Sequence, residues 1–232
     1  ITVLLTTRAA AAGPALAGAV ASRRSEPDAR MPEIVGVGPV MEAVRSAIER
    51  AASAPFAVLI EGESGSGKEL VARSLHRLGG RRDRPFCAVN CAALPDELVE
   101  SELFGHARGA FTGASAERRG VFEEAHTGTL FLDEVGELSA RAQAKLLRTI
   151  QEGEIRRVGE NASRRVDVRL VAATHRCLRD DVAAGRFRLD LLYRLDVIRI
   201  PVPPLRDRRD DIALLAEHLW REAASRHRCS AS

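Results

Sequence analysis

An apolar run, Phe56-Ala57-Val58-Leu59-Ile60, leads into Gly62-Glu63-Ser64-Gly65-Ser66-Gly67-Lys68. A stretch follows with Leu70, Val71, Leu75 and Leu78 at helical spacing. The heptapeptide fits GxxxxGK, and a strand before it with a helix after it is the context that gives the pattern physical meaning. Its glycines let backbone N–H groups converge on phosphate oxygens with no Cβ in the way. The helix that follows directs its positive end at the same point. Lys68 would reach the β- and γ-phosphates of a nucleoside triphosphate. The next residue, Glu69, departs from the generic motif, which has Ser or Thr there to ligate Mg²⁺. Taken alone, the segment also fits a glycine-rich strand–helix turn with a solvated lysine.

The rest of the chain repeats this alternation. Gly79-Gly80 stops the helix over Glu69 to Leu78, and strands are expected at Pro85 to Val89, Thr129 to Leu132, Val166 to Ala173 and Val197 to Ile200. A helix is expected from about Ala140 to Glu152. Short apolar strands alternating with helices predict an α/β fold, a parallel sheet covered on both faces. Pro201, Pro203 and Pro204 punctuate its end. Asp211 to Ser225 then reads as one amphipathic helix, the start of a helical subdomain. Residues 1–30 differ in composition: Ala9 to Ala21 is rich in Ala and Gly, and Ser22 to Arg30 is polar with Pro27. They are expected to be a linker or the tail of a preceding domain, before an α/β domain over 31–203 and a lid segment over 204–232. There is no internal repeat.

The 232 residues carry 35 basic and 32 acidic side chains, a net charge of +3, so no global charge points to nucleic acid. No apolar run approaches the roughly 20 residues of a membrane span. The chain does not begin with Met, and both ends are expected to be truncated. Cys87, Cys91, Cys177 and Cys229 form no CxxC pair, which fits reduced, buried thiols in a cytoplasmic protein.

Leu130-Phe131-Leu132-Asp133-Glu134 is an apolar strand ending in two carboxylates. At the C-terminal edge of a parallel strand they would face the ligand crevice. There Asp133 would serve Mg²⁺ and Glu134 would polarise an attacking water. Arg188 and Arg194, six apart, suit the charge that develops in phosphoryl transfer, and ordinary surface ion pairing is the alternative that spacing alone leaves open. Gly109-Ala110-Phe111-Thr112-Gly113-Ala114 has no acid–base or metal-binding group. Inserted between the phosphate loop and the acidic pair, it reads as a moving tip that touches a partner. Arg156-Arg157 and Arg164-Arg165 are expected to be a solvated loop face.

From about Pro32 to His218 these residues resemble the central AAA+ ATPase domain of bacterial enhancer-binding proteins, the NtrC-like activators of sigma-54 RNA polymerase. The most specific element is the complete hexapeptide Gly109 to Ala114, preceded by Glu102-Leu103-Phe104-Gly105-His106. The phosphate loop with Glu69, Asn90-Cys91-Ala92-Ala93-Leu94 and Gly128 to Glu134 also match. So do Gln151 to Glu154, Arg157-Val158-Gly159, Ala172-Ala173-Thr174-His175 and Pro203-Pro204-Leu205-Arg206. Glu69 is regular in that family.

The resemblance implies a three-layer αβα sandwich with a parallel central sheet, and the start of a helical lid. It implies an ATP site made of Ile34, Val35 and Gly36 at adenine, the residues Gly62 to Lys68, Glu69 and Leu70, with Thr174 and His175 as the first sensor. It further implies that Asn90 pairs with Glu134, and that Arg188 and Arg194 act in trans from a neighbouring subunit. Gly109, Ala110, Phe111, Thr112, Gly113 and Ala114 would contact sigma-54, while residues 153–165 form a second loop that moves with them. ATP and Mg²⁺ are the implied cofactors. A homo-oligomeric ring, expected to be a hexamer, and the sigma-54 holoenzyme are the implied partners. DNA would be reached only through a domain outside this chain, with no role for a membrane. Ser66 stands where Thr is frequent and Thr127 where Gly is frequent, and both are expected to be tolerated. Two alternatives fit the nucleotide motifs: another AAA+ remodelling ATPase, or a module that binds nucleotide only to oligomerise.

Overall fold

A computed structural model describes residues 30–111 and 113–229. The tail expected over 1–30 therefore lies outside the described residues except for Arg30, as does Thr112 of the hexapeptide. In chain order the elements are α1 (Pro39–Ala52), β1 (Val58–Glu61), α2 (Lys68–Leu78), β2 (Phe86–Asn90), α3 (Asp96–Phe104), α4 (Val121–Glu124), β3 (Thr129–Asp133), α5 (Ala140–Glu152), β4 (Glu154–Arg156), β5 (Ser163–Arg165), β6 (Arg169–Thr174), α6 (Leu178–Ala183), α7 (Leu189–Leu195), β7 (Ile198–Pro201) and α8 (Ile212–Cys229).

Five strands form one parallel sheet in the order β2-β3-β6-β1-β7. The chain leaves β1 through α2 for the far edge at β2, whereas β7 pairs on the other side of β1. The strand order thus reverses at β1, and a crevice opens at the strands' C-terminal ends.

Side chains alternate along each strand, and the two sets feed two cores. Leu59, Leu130, Leu132, Leu170 and Ala172 pack on one face with Leu103, Leu146 and Leu191 from α3, α5 and α7. Val58, Ile60, Phe131, Val171, Ala173 and Ile200 pack on the other with Val44, Ile48, Val71 and Leu75 from α1 and α2. Each large side chain fully buried in this way contributes roughly 1.5–3 kcal/mol. The result is the doubly covered parallel sheet that the alternating runs predict, the three-layer αβα sandwich that the resemblance implies.

The departures are local. Helix α1 begins with Pro39 at its first turn and buries Met41, Val44, Ile48 and Ala51 at helical spacing, a pattern the reading of the chain had passed over. Strand β6 starts at Arg169 and not at Val166. The intervening backbone is spent elsewhere: Val166 N–H donates to Gly153 O at 2.8 Å, and Asp167 O accepts from Thr127 N–H at 2.7 Å. Residues 153–165 contain an antiparallel hairpin, β4 with β5. Its arginines are not uniformly solvated: Arg157 is buried and bidentate to Glu123, at 2.7 and 2.9 Å. Nor are all thiols buried, since Cys177 is exposed.

Arg169, at the start of β6, is buried and uses Nη1 and Nη2 on the carbonyls of Ala52 and Ala51, at 2.7 and 2.6 Å. Nη1 also reaches Leu75 O at 3.4 Å, so one cation fastens the negative ends of α1 and α2 to the sheet. Burial lowers its pKa from the usual arginine value.

Thr127 has φ +66°. A β-branched residue pays heavily for that left-handed conformation, about 1–2 kcal/mol, which is the physical reason a glycine suits this turn. Thr127→Gly, after the offsetting entropy of glycine, should stabilise the fold by about 0.5–1 kcal/mol. Urea denaturation reads this as a higher midpoint at unchanged slope.

Candidate nucleotide site and the stalked loop

The phosphate loop joins β1 to α2. Gly65 and Gly67 have φ of +77° and +102°, which L side chains rarely adopt, and a Cβ at Gly65 would meet nothing within 4 Å. The cradle is therefore open above the backbone. Ser66 Oγ is buried without a hydrogen-bond partner, a polar atom left for a ligand. The first N–H groups of α2 lack intrahelical partners by geometry. These features fit a polyphosphate. The Glu69 side chain turns outward to Arg73, at 2.6 Å, so only its backbone N–H is offered to the cradle.

Lys68 is the buried end of the loop. Its ammonium donates to Gly62 O at 2.9 Å and to Glu134 Oε1 at 3.1 Å. Glu134 follows β3 in a left-handed conformation, φ +54°, with its side chain only 11% exposed. Its other oxygen, Oε2, accepts from the backbone N–H of His175 at 3.1 Å and lies 2.6 Å from His175 Nδ1. Two C-terminal strand ends thus converge with the first turn of α2: β3 through Glu134, β6 through His175 and the helix through Lys68. Burial pushes the Glu134 carboxyl up, but the bonds from His175 and Lys68 outweigh it and leave the group below its ordinary value, an ionised carboxylate.

Asp133 behaves oppositely. Burial and the neighbouring Glu134 charge raise its pKa. A cation beside it would reverse that shift. Among the described residues no group of three or more His, Cys, Asp or Glu could hold a metal unaided. Mg²⁺ at Asp133 would therefore complete its shell with water and phosphate oxygens, as Mg²⁺ commonly does. Asn90 does not pair with Glu134 as the resemblance implied. Its Nδ2 points to Asp133 Oδ2 at 3.5 Å, and its Oδ1 accepts from Ala92 N–H. Both Glu134 oxygens are already engaged. Cys91 lies behind the two carboxylates, where burial and their charges push its thiol up to about 12.

Beside the loop is a cleft of about 420 Å³, and Ile34, Val35, the segment Glu63 to Gly67 and Leu70 line it. Gly36 stands just outside, its carbonyl accepting from Arg45 Nη1 at 2.7 Å. Thr174 is buried and spends its hydroxyl on Arg176 N–H. The sequence reading missed the opposite wall, which is Val202, Leu205, Arg208, Leu215 and Leu219 from the segment after β7 and from α8. Arg208 Nη2 donates to Ser66 O at 3.1 Å, and Arg206 bridges to Glu63. Pro203-Pro204-Leu205-Arg206 signalled that something ends there. No local pattern said that it folds back over the phosphate loop.

The hexapeptide crowns a stalk inserted between β2 and β3. His106 and Arg118 exchange two backbone hydrogen bonds of 3.0 Å, and Gly109 N–H closes the tip on Ala114 O at 2.8 Å. Gly105 and Gly120 let the two stalk backbones touch: a Cβ on Gly120 would lie 2.3 Å from Gly105 N. The hairpin region pairs alongside, with Ala107 N–H donating to Val158 O and Val158 N–H to Gly105 O, each at 2.9 Å. Ala110 lies against Gly159. Phe111 is 39% exposed, its ring edge-on to buried His106 at 5.0 Å.

The two arginines are absent from this cleft. Arg188 is bidentate to Asp190, at 3.0 and 2.7 Å, and Arg194 is exposed on α7. They share a surface with Leu189 and with Tyr193, which is 70% exposed.

A doubly covered parallel sheet with a phosphate loop at its order reversal, and acidic residues on a neighbouring strand end, defines a P-loop nucleotide-binding fold. The family profile described as Sigma-54 interaction domain matches residues 34–201. The chain belongs to that family, the AAA+ domain of sigma-54-dependent transcriptional regulators. It is similar to the transcriptional regulatory protein ZraR of Salmonella typhimurium, 55% identical over 84% of this chain and 44% of ZraR. It is also similar to the Nif-specific regulatory protein of Herbaspirillum seropedicae, 53% identical over 85% of this chain and 36% of that protein. The chain thus spans less than half the length of these relatives. Among solved structures, NtrX from Brucella abortus in complex with ATP superposes with a TM-score of 0.77 at 39% identity, covering 83% of this chain and 41% of NtrX. No helix among the described residues is long and apolar enough to cross a membrane.

Proposed function

We propose that this chain is an ATP-hydrolysing module that remodels the sigma-54 RNA polymerase holoenzyme in the cytoplasm. The observation that carries the reading is the joining of Lys68, from the start of α2, with Glu134 and His175, from the ends of β3 and β6, at the mouth of an open phosphate cradle. Ile34, Val35 and Leu70 hold the nucleoside end, the loop Gly62 to Gly67 and Lys68 hold the phosphates, and Asp133 holds Mg²⁺. When bound, that ion neutralises charge on the phosphate oxygens. Glu134 takes the proton of the attacking water. Arg188 and Arg194 act from the surface of a neighbouring subunit in a hexameric ring, because neither reaches the site of its own chain. DNA is contacted by a domain outside residues 31–203, and 204–232 start the lid.

Hydrolysis reaches the partner along the backbone. Asn90 ends β2 beside Asp133, Cys91 N–H donates to Asp133 O at 2.9 Å, and the chain runs from there through α3 into the stalk. A phosphate that repositions Asp133 and Glu134 therefore pulls on both roots of the loop, a local charge event with a distant readout. Phe111 leaves His106 to pack on sigma-54, where full burial is worth roughly 2 kcal/mol per loop. Phe111→Ala should keep ATP hydrolysis and lose capture of sigma-54 in a pull-down with a transition-state analogue. Undiminished capture would refute the role of the loop.

A further inference from the structure

The Arg188 side chain is half exposed and rests only on Asp190. What the fold controls is the backbone that carries it. Arg188 N–H donates to Gln143 Oε1 at 2.9 Å, and Arg188 O accepts from Leu192 N–H at 3.1 Å in the first turn of α7. Two residues earlier, Arg186 O accepts from Gln143 Nε2 at 2.9 Å. Between these two bonds Phe187 is buried in the core. One side chain on α5 thus brackets the root of Arg188, holding the carbonyl before Phe187 and the N–H after it. From the opposite side Asp181 O accepts from the N–H groups of Arg186 and Phe187, at 2.8 and 3.2 Å.

Gln143 is itself 1% exposed and lines no part of the nucleotide cleft. The remaining proton on Nε2 goes to Leu138 O at 2.8 Å. Two carbonyls and one N–H admit a single orientation of the amide, so both of its donors and its oxygen are in use. Leucine or methionine would fill similar space, so packing alone does not call for an amide here; three backbone groups do. Leu138 ends the turn Val135–Glu137, but Glu134, which precedes that turn, has holders of its own in Lys68 and His175.

We propose that Gln143 is the positioning residue of the arginine offered to the neighbouring subunit: its amide sets the backbone from which Arg188 reaches across, and it does not serve the site of its own chain. This rests on the reading of Arg188 as acting in trans. A guanidinium on a long exposed stem already has rotamer freedom to lose at the interface, and a drifting root would add backbone freedom to that loss. Displacement of a catalytic group by about 1 Å can lower a rate on the order of 100-fold.

Gln143→Met should therefore lower kcat for ATP hydrolysis about 100-fold, while its affinity for a non-hydrolysable ATP analogue stays within about threefold. Rings mixed from two kinds of subunit separate a role in trans from one in cis. Lys68→Ala subunits have a dead site and an intact arginine; Arg188→Ala subunits have the reverse. Gln143→Met should regain hydrolysis when mixed with Lys68→Ala. About a quarter of the interfaces in a random equimolar ring then pair a working site with a well-placed arginine. Mixed with Arg188→Ala it should stay inactive, because neither subunit presents the arginine. Gln143→Glu keeps the volume and the acceptor but turns an oxygen toward two carbonyls, and it should give the same pattern. By NMR, the Arg188 amide proton should exchange at least about tenfold faster in Gln143→Met, with the amides of α5 unchanged, a local loosening that needs no ring to be seen. Rescue by Arg188→Ala in place of Lys68→Ala, rescue by neither, or an Arg188 amide as protected as before would each overturn the proposal. Failure of Arg188→Ala to complement Lys68→Ala would instead refute catalysis in trans, and the role of Gln143 with it.

Discussion

Lys68→Ala is expected to abolish nucleotide binding at concentrations where the unaltered protein is saturated. The ammonium sits at the buried end of the cradle, 2.9 Å from Gly62 O, and is the cation at the foot of the loop. Hydrogen bonds to a charged partner are worth about 1.5–3 kcal/mol each, and a phosphate would take at least two from this group. The bond to Glu134 must be given up first, which offsets part of the gain. A loss on the order of 100-fold in affinity is the result, equal to about 2.8 kcal/mol. Calorimetric titration with a non-hydrolysable ATP analogue reads it directly, and a dissociation constant within about threefold of the original would dismiss the phosphate-loop assignment. The substitution should not unfold the protein, because Glu134 keeps the two donors of His175.

Glu134→Gln should leave nucleotide binding in place and remove turnover. The amide is the same size and can still accept from His175, so the local packing survives. What it lacks is an oxygen able to take a proton near neutral pH. General-base contributions run to about 10²–10⁴ in rate, and single-turnover phosphate release should fall within that range. Binding of ATP should tighten slightly, since a negative charge beside the phosphates is gone. Retention of more than about a tenth of the original rate would mean that water is activated elsewhere. The two substitutions together separate holding the nucleotide from cleaving it, a distinction that any remodelling activity requires.

The main features of the fold were legible because they depend on short-range patterns. Phe56 to Ile60 and Leu130 to Leu132 are apolar runs too short for helices, and each is followed by residues that belong at the end of a parallel strand. The glycines of the phosphate loop and the contiguous Asp133-Glu134 are likewise local statements about backbone freedom and charge. Helix α5 covers the range expected for it, and the structure shows why its ends fall there: Ser139 caps it, accepting from Ala142 N–H, and Gly153 ends it at φ +66°. Where two patterns competed, local reading failed. Val166 to Val168 look like strand, yet two of them are engaged by Gly153 and Thr127 through contacts the sequence does not announce. Thr127 looked harmless because a side chain's identity does not reveal that its backbone must turn left-handed.

The sequence by itself determined the strand–loop–helix cradle, the acidic strand end and the hexapeptide, since each is written in consecutive residues whose steric and charge properties act within a few bonds. Only the tertiary structure decided who partners whom. His175 holds Glu134 where Asn90 was expected, Arg208 and Leu205 close over the phosphate loop, and Phe111 rests on His106. These pairs come from strand ends and loops up to 142 residues apart, as Arg208 and Ser66 are. Sheet order and the return of the chain after β7 bring them together, and those are set by how the two apolar faces of the sheet are buried together.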